Sequence, residues 1–372
     1  MKQYDVVIKN SIRDFYPANF SVVMATGVVS IAFEVMGFPG IARLLFALNL
    51  LLYSTLCAFL IAQAVFFLPN LVADFNTLRR AFLFLTFVVG TNTIGTQLII
   101  FCGAAGLAIL LWLIAVTSWL VCIYFIFLNF IAMKGKFSTL EFVNGTTLLI
   151  VVSTISISIL GMRILDATGK HADYSYFVMV GLWVLGFVLY IIIITPLIYR
   201  LFSKQLELKD WSVPYWICMG AAAIIALAGS EFITRMPELP AWENIREIVL
   251  CMTVFIWATG TLWIPYLLVM DIRKLICLDS ATSVPIWIKI FPWLRLAFGR
   301  QHHAYEISSW SRVFPMGMYM ASTLLLTNAT DFESLMIISQ YWGWLVLLIW
   351  SLTFVGMLRF IISAFSHHKN PW

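Results

Sequence analysis

The sequence predicts an all-α polytopic membrane protein: ten transmembrane helices paired as five helical hairpins, the odd-numbered helices forming an inner pore and the even-numbered ones an outer ring. Three observations predict it. Of 372 residues, 62% are apolar and only 11% are charged, where a soluble domain carries about a quarter charged residues; mean hydropathy is +0.95. So little charge cannot clothe a water-facing surface, which excludes soluble enzymes, nucleic-acid binders and secreted scaffolds. The apolar residues also fall into long runs of membrane-crossing length, and polar residues gather in alternate runs.

Residues 1–18 read as a cytoplasmic N-terminal segment with Lys2, Asp5, Lys9, Arg13 and Asp14; no small-x-small cleavage site follows, so the first span is expected to be retained. A ruler of about 20 apolar residues per crossing then gives spans at 19–38, 41–68, 80–101, 104–133, 142–165, 174–200, 212–233, 244–270, 311–330 and 334–365. Stop signals separate them, among them Gly37-Phe38-Pro39-Gly40, Pro69-Asn70 and the stretch from Pro237 to Pro240. The transmembrane domain thus covers 19–365, and 366–372 form a cytoplasmic tail. A long basic cytoplasmic link at 271–310 joins helices eight and nine. Its Trp287, Ile288, Ile290, Phe291, Trp293 and Leu294 fit a short amphipathic segment on the membrane surface as well as a plain connector.

An even number of spans puts both termini on one side. That side receives 18 of the 23 Lys and Arg residues, so it is expected to be the cytoplasm, and the protein is placed in the cell (inner) membrane. The net charge of +5 is therefore mostly topology. The six cysteines are scattered along the chain without a C-x-x-C pair and read as small buried hydrophobes.

Even spans are greasy on every face, as in Ile191-Ile192-Ile193-Ile194. Odd spans concentrate Gly, Ser, Thr and Asn. Polar groups facing hydrocarbon are costly, so inward-facing positions are expected for them. Thr26, Gly27, Ser30, Thr91, Asn92, Thr93, Thr147, Gly317, Ser322 and Thr323 are the candidate pore-lining residues. Helix packing by small residues is the competing explanation for each. In the ninth span, Phe314-Pro315 joins a bulky apolar plug to a helix-bending residue, a combination suited to a pore gate. No basic residue sits at the centre of an odd span, so weak neutral donors are the expected anion ligands.

Two segments carry a resemblance. The stretch from Phe20 to Ile31, with Met24-Ala25-Thr26-Gly27, and the stretch Trp310-Ser-Arg-Val-Phe-Pro-Met-Gly-Met-Tyr319 resemble signatures of the tellurite-resistance/dicarboxylate transporter family, which includes the plant slow anion channels. The resemblance runs over all ten spans. It implies five inner and five outer helices, one pore per subunit, a homotrimer, and anions such as chloride, nitrate, sulfite or malate as substrates, with Phe314 at the position of the occluding aromatic. Arg312, the basic link and the short N-terminus depart from the plant pattern and leave kinase regulation without support.

Glu34, Arg163, Glu231 and Arg235, with Asp166, lie near the outer ends of odd spans. They are candidates either for vestibule ion pairs or for proton coupling. Arg295, Arg300 and Arg312, beside His302 and His303, form the candidate cytoplasmic mouth. The chain has no Walker, dinucleotide or H-E-x-x-H motif, and its five histidines all lie outside the spans. No catalytic residue, metal, cofactor or nucleic-acid partner is expected. The expected function is a passive channel for small monovalent anions, with membrane lipid around it; the alternative is a secondary transporter of C4-dicarboxylates, sulfite or tellurite-like oxyanions, possibly coupled to protons.

Overall fold

The computed structural model describes residues 2–132, 143–169, 173–203, 211–236, 240–278, 291, 293–294, 296 and 305–366. A helix α1 (Lys2–Arg13) precedes the bundle. Five shorter helices alternate with five longer ones: α2 (Ser21–Val35), α3 (Pro39–Phe66), α6 (Leu85–Cys102), α7 (Ala105–Ala132), α8 (Leu149–Thr168), α9 (Asp173–Ser203), α10 (Ile217–Arg235), α11 (Pro240–Leu278), α12 (Trp310–Thr330) and α13 (Ser334–Ser366). Two short helices, α4 (Leu68–Phe75) and α5 (Leu78–Ala81), connect α3 to α6. Neither these nor α1 was legible as a separate element in the sequence.

Among the described residues, nine helical segments are long and apolar enough to cross a bilayer. Burial alternates along them: 83, 78, 78 and 89% of the apolar window is buried in the spans containing α2, α6, α8 and α10, against 22, 17, 33, 33 and 33% in α3, α7, α9, α11 and α13. Helix α12 does not reach the same apolarity, because Arg312, Pro315, Tyr319, Asn328 and several hydroxyl residues dilute it. It is nevertheless buried along most of its length. Packing against α10 on one side and α2 on the other, it completes an inner ring in chain order, α2–α6–α8–α10–α12.

The inner helices share a design. Each is preceded by a 3-10 turn, at Pro17–Phe20, Phe82–Phe84, Gly145–Leu148, Val213–Trp216 and Ile307–Ser309. All five run in the same direction, so their N-terminal ends meet on the side that carries α1 and the end of α13. At the far end, Gly103 and Gly169 cap α6 and α8 in the left-handed conformation (φ 61° and 63°). Asp331 does the same for α12 at φ 56°.

The outer helices are stitched to the inner ring by hydrogen bonds that advance one hairpin at a time. From α3, Tyr53 Oη shares a hydrogen bond with Thr91 Oγ1 (3.0 Å), and Asn49 Nδ2 donates to Gln97 Oε1 (2.8 Å), both on α6. From α7, Trp119 Nε1 donates to Thr154 Oγ1 and Trp112 Nε1 to the Ile157 carbonyl of α8. Trp183 and Tyr190 of α9 donate to the Ile225 and Cys218 carbonyls of α10. Trp257 of α11 donates to Thr323 of α12, and Trp350 of α13 closes the circle on Thr26 of α2 (3.0 Å).

Candidate functional site

Two cavities lie on the axis of the inner ring and share no lining residue. The larger, about 600 Å³, lies on the side of the termini. Every inner helix or its lead-in contributes to its wall, through Met24, Leu83, Leu149, Ile217 and Phe314, and Ser21, Thr86, Thr146 and Ser311 supply hydroxyls. The Ser21 Oγ is buried without a hydrogen-bond partner. Asp14, Arg80 and Glu306 stand among the charged residues of this wall. The Arg13 guanidinium, bonded to Asp14 at 2.8 and 2.9 Å, holds that carboxyl below the usual carboxylate range. Arg80 pairs with Asp74 at 2.5 Å and lies over the Tyr16 ring.

The smaller cavity, about 60 Å³, continues the same helix faces toward the opposite side. Its wall takes Val28 and Ala32 from α2, Asn92, Thr93 and Thr96 from α6, Ser156 and Arg163 from α8, Ile224 and Glu231 from α10, and Met318 and Ala321 from α12.

Phe314 is 3% exposed and borders only the larger cavity. Its helix is wedged on both sides. A Cβ on Gly220 of α10 would stand 2.8 to 3.1 Å from the Pro315 ring and Cα, and one on Gly317 would meet Val28 Cγ1 at 2.7 Å. Glycine at these positions therefore lets α10 and α2 close on either flank of the Phe314-Pro315 step.

Of the ten candidate lining residues, Asn92 and Thr93 reach a cavity wall. The other eight do not. Thr26, Thr91 and Thr323 bind Trp350, Tyr53 and Trp257 of outer helices, and Ser30 donates to the Ala42 carbonyl of α3 (2.8 Å). Thr147 and Ser322 donate to nearby backbone carbonyls, of Asn144 and Tyr319. A Cβ at Gly27 would collide with Thr93 Cγ2 at 2.2 Å, and Gly317 packs on Val28, so both serve helix approach. Much of the polarity of the inner helices thus satisfies the inner–outer seam, because a buried indole or phenol needs a partner.

The vestibule candidates pair across α8 and α10: Arg163 with Glu231, and Arg235 with Asp166. Glu34 lies at the same end of α2, outside both cavity walls, with Oε2 buried and unpartnered. At the other end Arg312 is bound by Asp271 (2.7 Å), which also accepts from Trp211 and Trp216 (2.8 and 2.9 Å). The Arg312 side chain is only 13% exposed and anchors α12; it is not an open cation of the mouth. Arg295, Arg300, His302 and His303 lie outside the described residues, as does most of the predicted surface segment of the link. Among the described residues no cluster of three His, Cys, Asp or Glu side chains is placed to hold a metal.

A family model described as "voltage-dependent anion channel" (SLAC1) matches residues 14–358. The chain belongs to this family. Among the relatives of this SLAC1-family chain, an uncharacterized transporter of Methanocaldococcus jannaschii is 24% identical over 365 residues, covering 96% of this chain and 98% of the other. An uncharacterized membrane protein of Mycobacterium tuberculosis is 31% identical over 176 residues, 47% of this chain and 78% of its own length. A sulfite efflux pump of Arthroderma otae is 24% identical over 367 residues, 92% and 90% of the two chains. Family membership makes the chain a membrane protein of the anion channel and transporter class.

In this SLAC1-family chain, sequence reasoning missed the apolar lining Met24, Leu83, Leu149 and Ile217 and the wedge at Gly220. One signal was available for them. Met24, Leu149, Ile217 and Phe314 each lie within the first turn or two of an inner helix, a register visible once the five helices are aligned by their lead-ins.

Proposed function

We propose that the protein is a passive channel for small monovalent anions, with α12 as the tenth crossing and the two cavities as the halves of one path closed at Phe314. The observation that carries this reading is the convergence of five helix N-termini on the 600 Å³ cavity. Each such end carries about half a positive charge, and together they favour an anion where Asp14 and Glu306 alone would repel one. An unpartnered Ser21 hydroxyl adds a donor. Phe314 then blocks passage by occlusion and dewetting. The protein resides in the cell (inner) membrane with both termini cytoplasmic, as a homotrimer with one pore in each subunit.

The experiment is current recording from the purified protein in planar bilayers. Phe314→Ala is expected to raise anion current severalfold at unchanged reconstitution. Equal currents in wild type and variant would remove Phe314 from the gate.

A second reading, a secondary transporter of an oxyanion, draws support from the relative named as a sulfite efflux pump and from the two cavities sharing no lining residue. Uphill accumulation of anion in proteoliposomes under a pH gradient would favour it over the channel.

A further inference from the structure

The small cavity looks lined with neutral donors, but its hydroxyl hydrogens are already committed. Thr93 Oγ1 donates to the Val89 carbonyl (2.8 Å), Thr96 Oγ1 to the Asn92 carbonyl (3.0 Å) and Ser156 Oγ to the Ser153 carbonyl (2.7 Å). A hydroxyl has one hydrogen, so these three present only lone pairs to the chamber. Asn92 Nδ2 spends one hydrogen on Ser156 (2.9 Å). The cation in the wall is Arg163, whose Nε is buried and unpartnered while its Nη2 binds Glu231 Oε1. Glu231 is 2% exposed, and its Oε2 also lacks a partner. A buried ion pair with an unused donor on one member and an unused acceptor on the other is incompletely compensated.

We infer that Arg163 is the anion-binding group of this chamber and Glu231 its built-in competitor, so that protonation of Glu231 hands the guanidinium to the anion. This inference rests on the proposed pathway. With Glu231 ionised the pair is neutral, and an added anion leaves an excess negative charge in a largely buried chamber. A proton on Glu231 removes that excess. Anion and proton binding therefore reinforce each other, by the same factor in each direction. Among the described residues, the titratable groups packed near this pair include Asp166 on α8 and Arg235 on α10, paired with each other, Tyr176 on α9, which donates to Asp166, Glu34 on α2 and Arg246 on α11, bonded to the Met236 carbonyl. At about 60 Å³ the chamber is large enough to hold water, and a small anion can take that water's place.

The test is radiolabelled chloride uptake into proteoliposomes containing the full chain, at equal pH on both faces from about 5 to about 8. Chloride does not itself titrate in this range. The half-saturation concentration of the wild type is expected to fall as pH falls, by as much as about tenfold per unit for one linked proton. Glu231→Gln is expected to saturate at low chloride without pH dependence, and Arg163→Gln to lose saturation. Wild-type uptake whose half-saturation ignores pH would overturn the inference while leaving the pathway standing, and it requires no variant to fold. Retention of the wild-type pH dependence in Glu231→Gln would overturn it equally. Absence of chloride uptake in the wild type would remove the pathway and this inference together.

Discussion

Gly220 and Phe314 carry the sharpest consequences of the structure at the level of single side chains. A methyl group at Gly220 meets the Pro315 ring and Cα below ordinary contact distance. Gly220→Ala is expected to destabilise the protein by about 1–3 kcal/mol through forced separation of α10 and α12, read as a lower unfolding temperature in detergent. Gly106→Ala on α7 and Gly181→Ala on α9 are the controls, since a Cβ there meets nothing within 4 Å; both are expected to be neutral or slightly stabilising, because alanine is the better helix former. At Phe314 the ring borders a 600 Å³ cavity. Truncation to alanine is expected to cost less folding energy than the ~3–5 kcal/mol of a fully packed interior phenylalanine, so a gain of current is measurable on a folded protein. Asp14 belongs to the same scale. Because Arg13 holds its carboxyl below the usual range, it stays ionised as pH falls through that range, and the stability that the pair adds is lost only at lower pH. Asp14→Asn is expected to increase anion entry from the side of the termini near neutral pH, and equal entry rates would argue against an electrostatic role at that mouth.

Among elements, the deciding feature is the seam between outer and inner helices. Each outer helix donates to the inner helix of the next hairpin, and α13 returns to α2. Hydrogen bonds between membrane helices are worth about 0.6 kcal/mol on average and at most about 2. A double-mutant cycle on Trp350→Phe and Thr26→Val is therefore expected to give a coupling in that range, and a coupling indistinguishable from zero would show that the seam adds no stability through this bond. The seam also accounts for what the sequence did and did not disclose. The alternation of two helix kinds was legible, because Gly, Ser and Thr are depleted from lipid-facing surfaces whatever they do inside. Their direction was not. Thr26, Ser30, Thr91 and Thr323 sit on helices that are buried nearly all round, so no apolar stripe marks which face is the axis and which the seam. A hydroxyl suits an indole on an outer helix as well as it suits a pore.

At the scale of the whole molecule, five hairpins in one orientation bring five helix N-termini to one cavity and five C-terminal ends to the other side. The all-α polytopic architecture followed from hydropathy and loop length. The pairing of Arg163 with Glu231, 68 positions apart in the chain, required the ring to close. The capture of Arg312 by Asp271 likewise needs the third dimension, since basic residues near a span end suggest a charged mouth by count alone. The central claim is that this axis conducts anions down their gradient. It is tested most directly by the reversal potential of the purified protein in a planar bilayer under a chloride gradient, repeated with nitrate and with larger anions substituted on one side. A potential that follows the Nernst value of the permeant anion and shifts with each substitution is expected. A potential that follows the cation, or that stays fixed when the anion is changed, would contradict it.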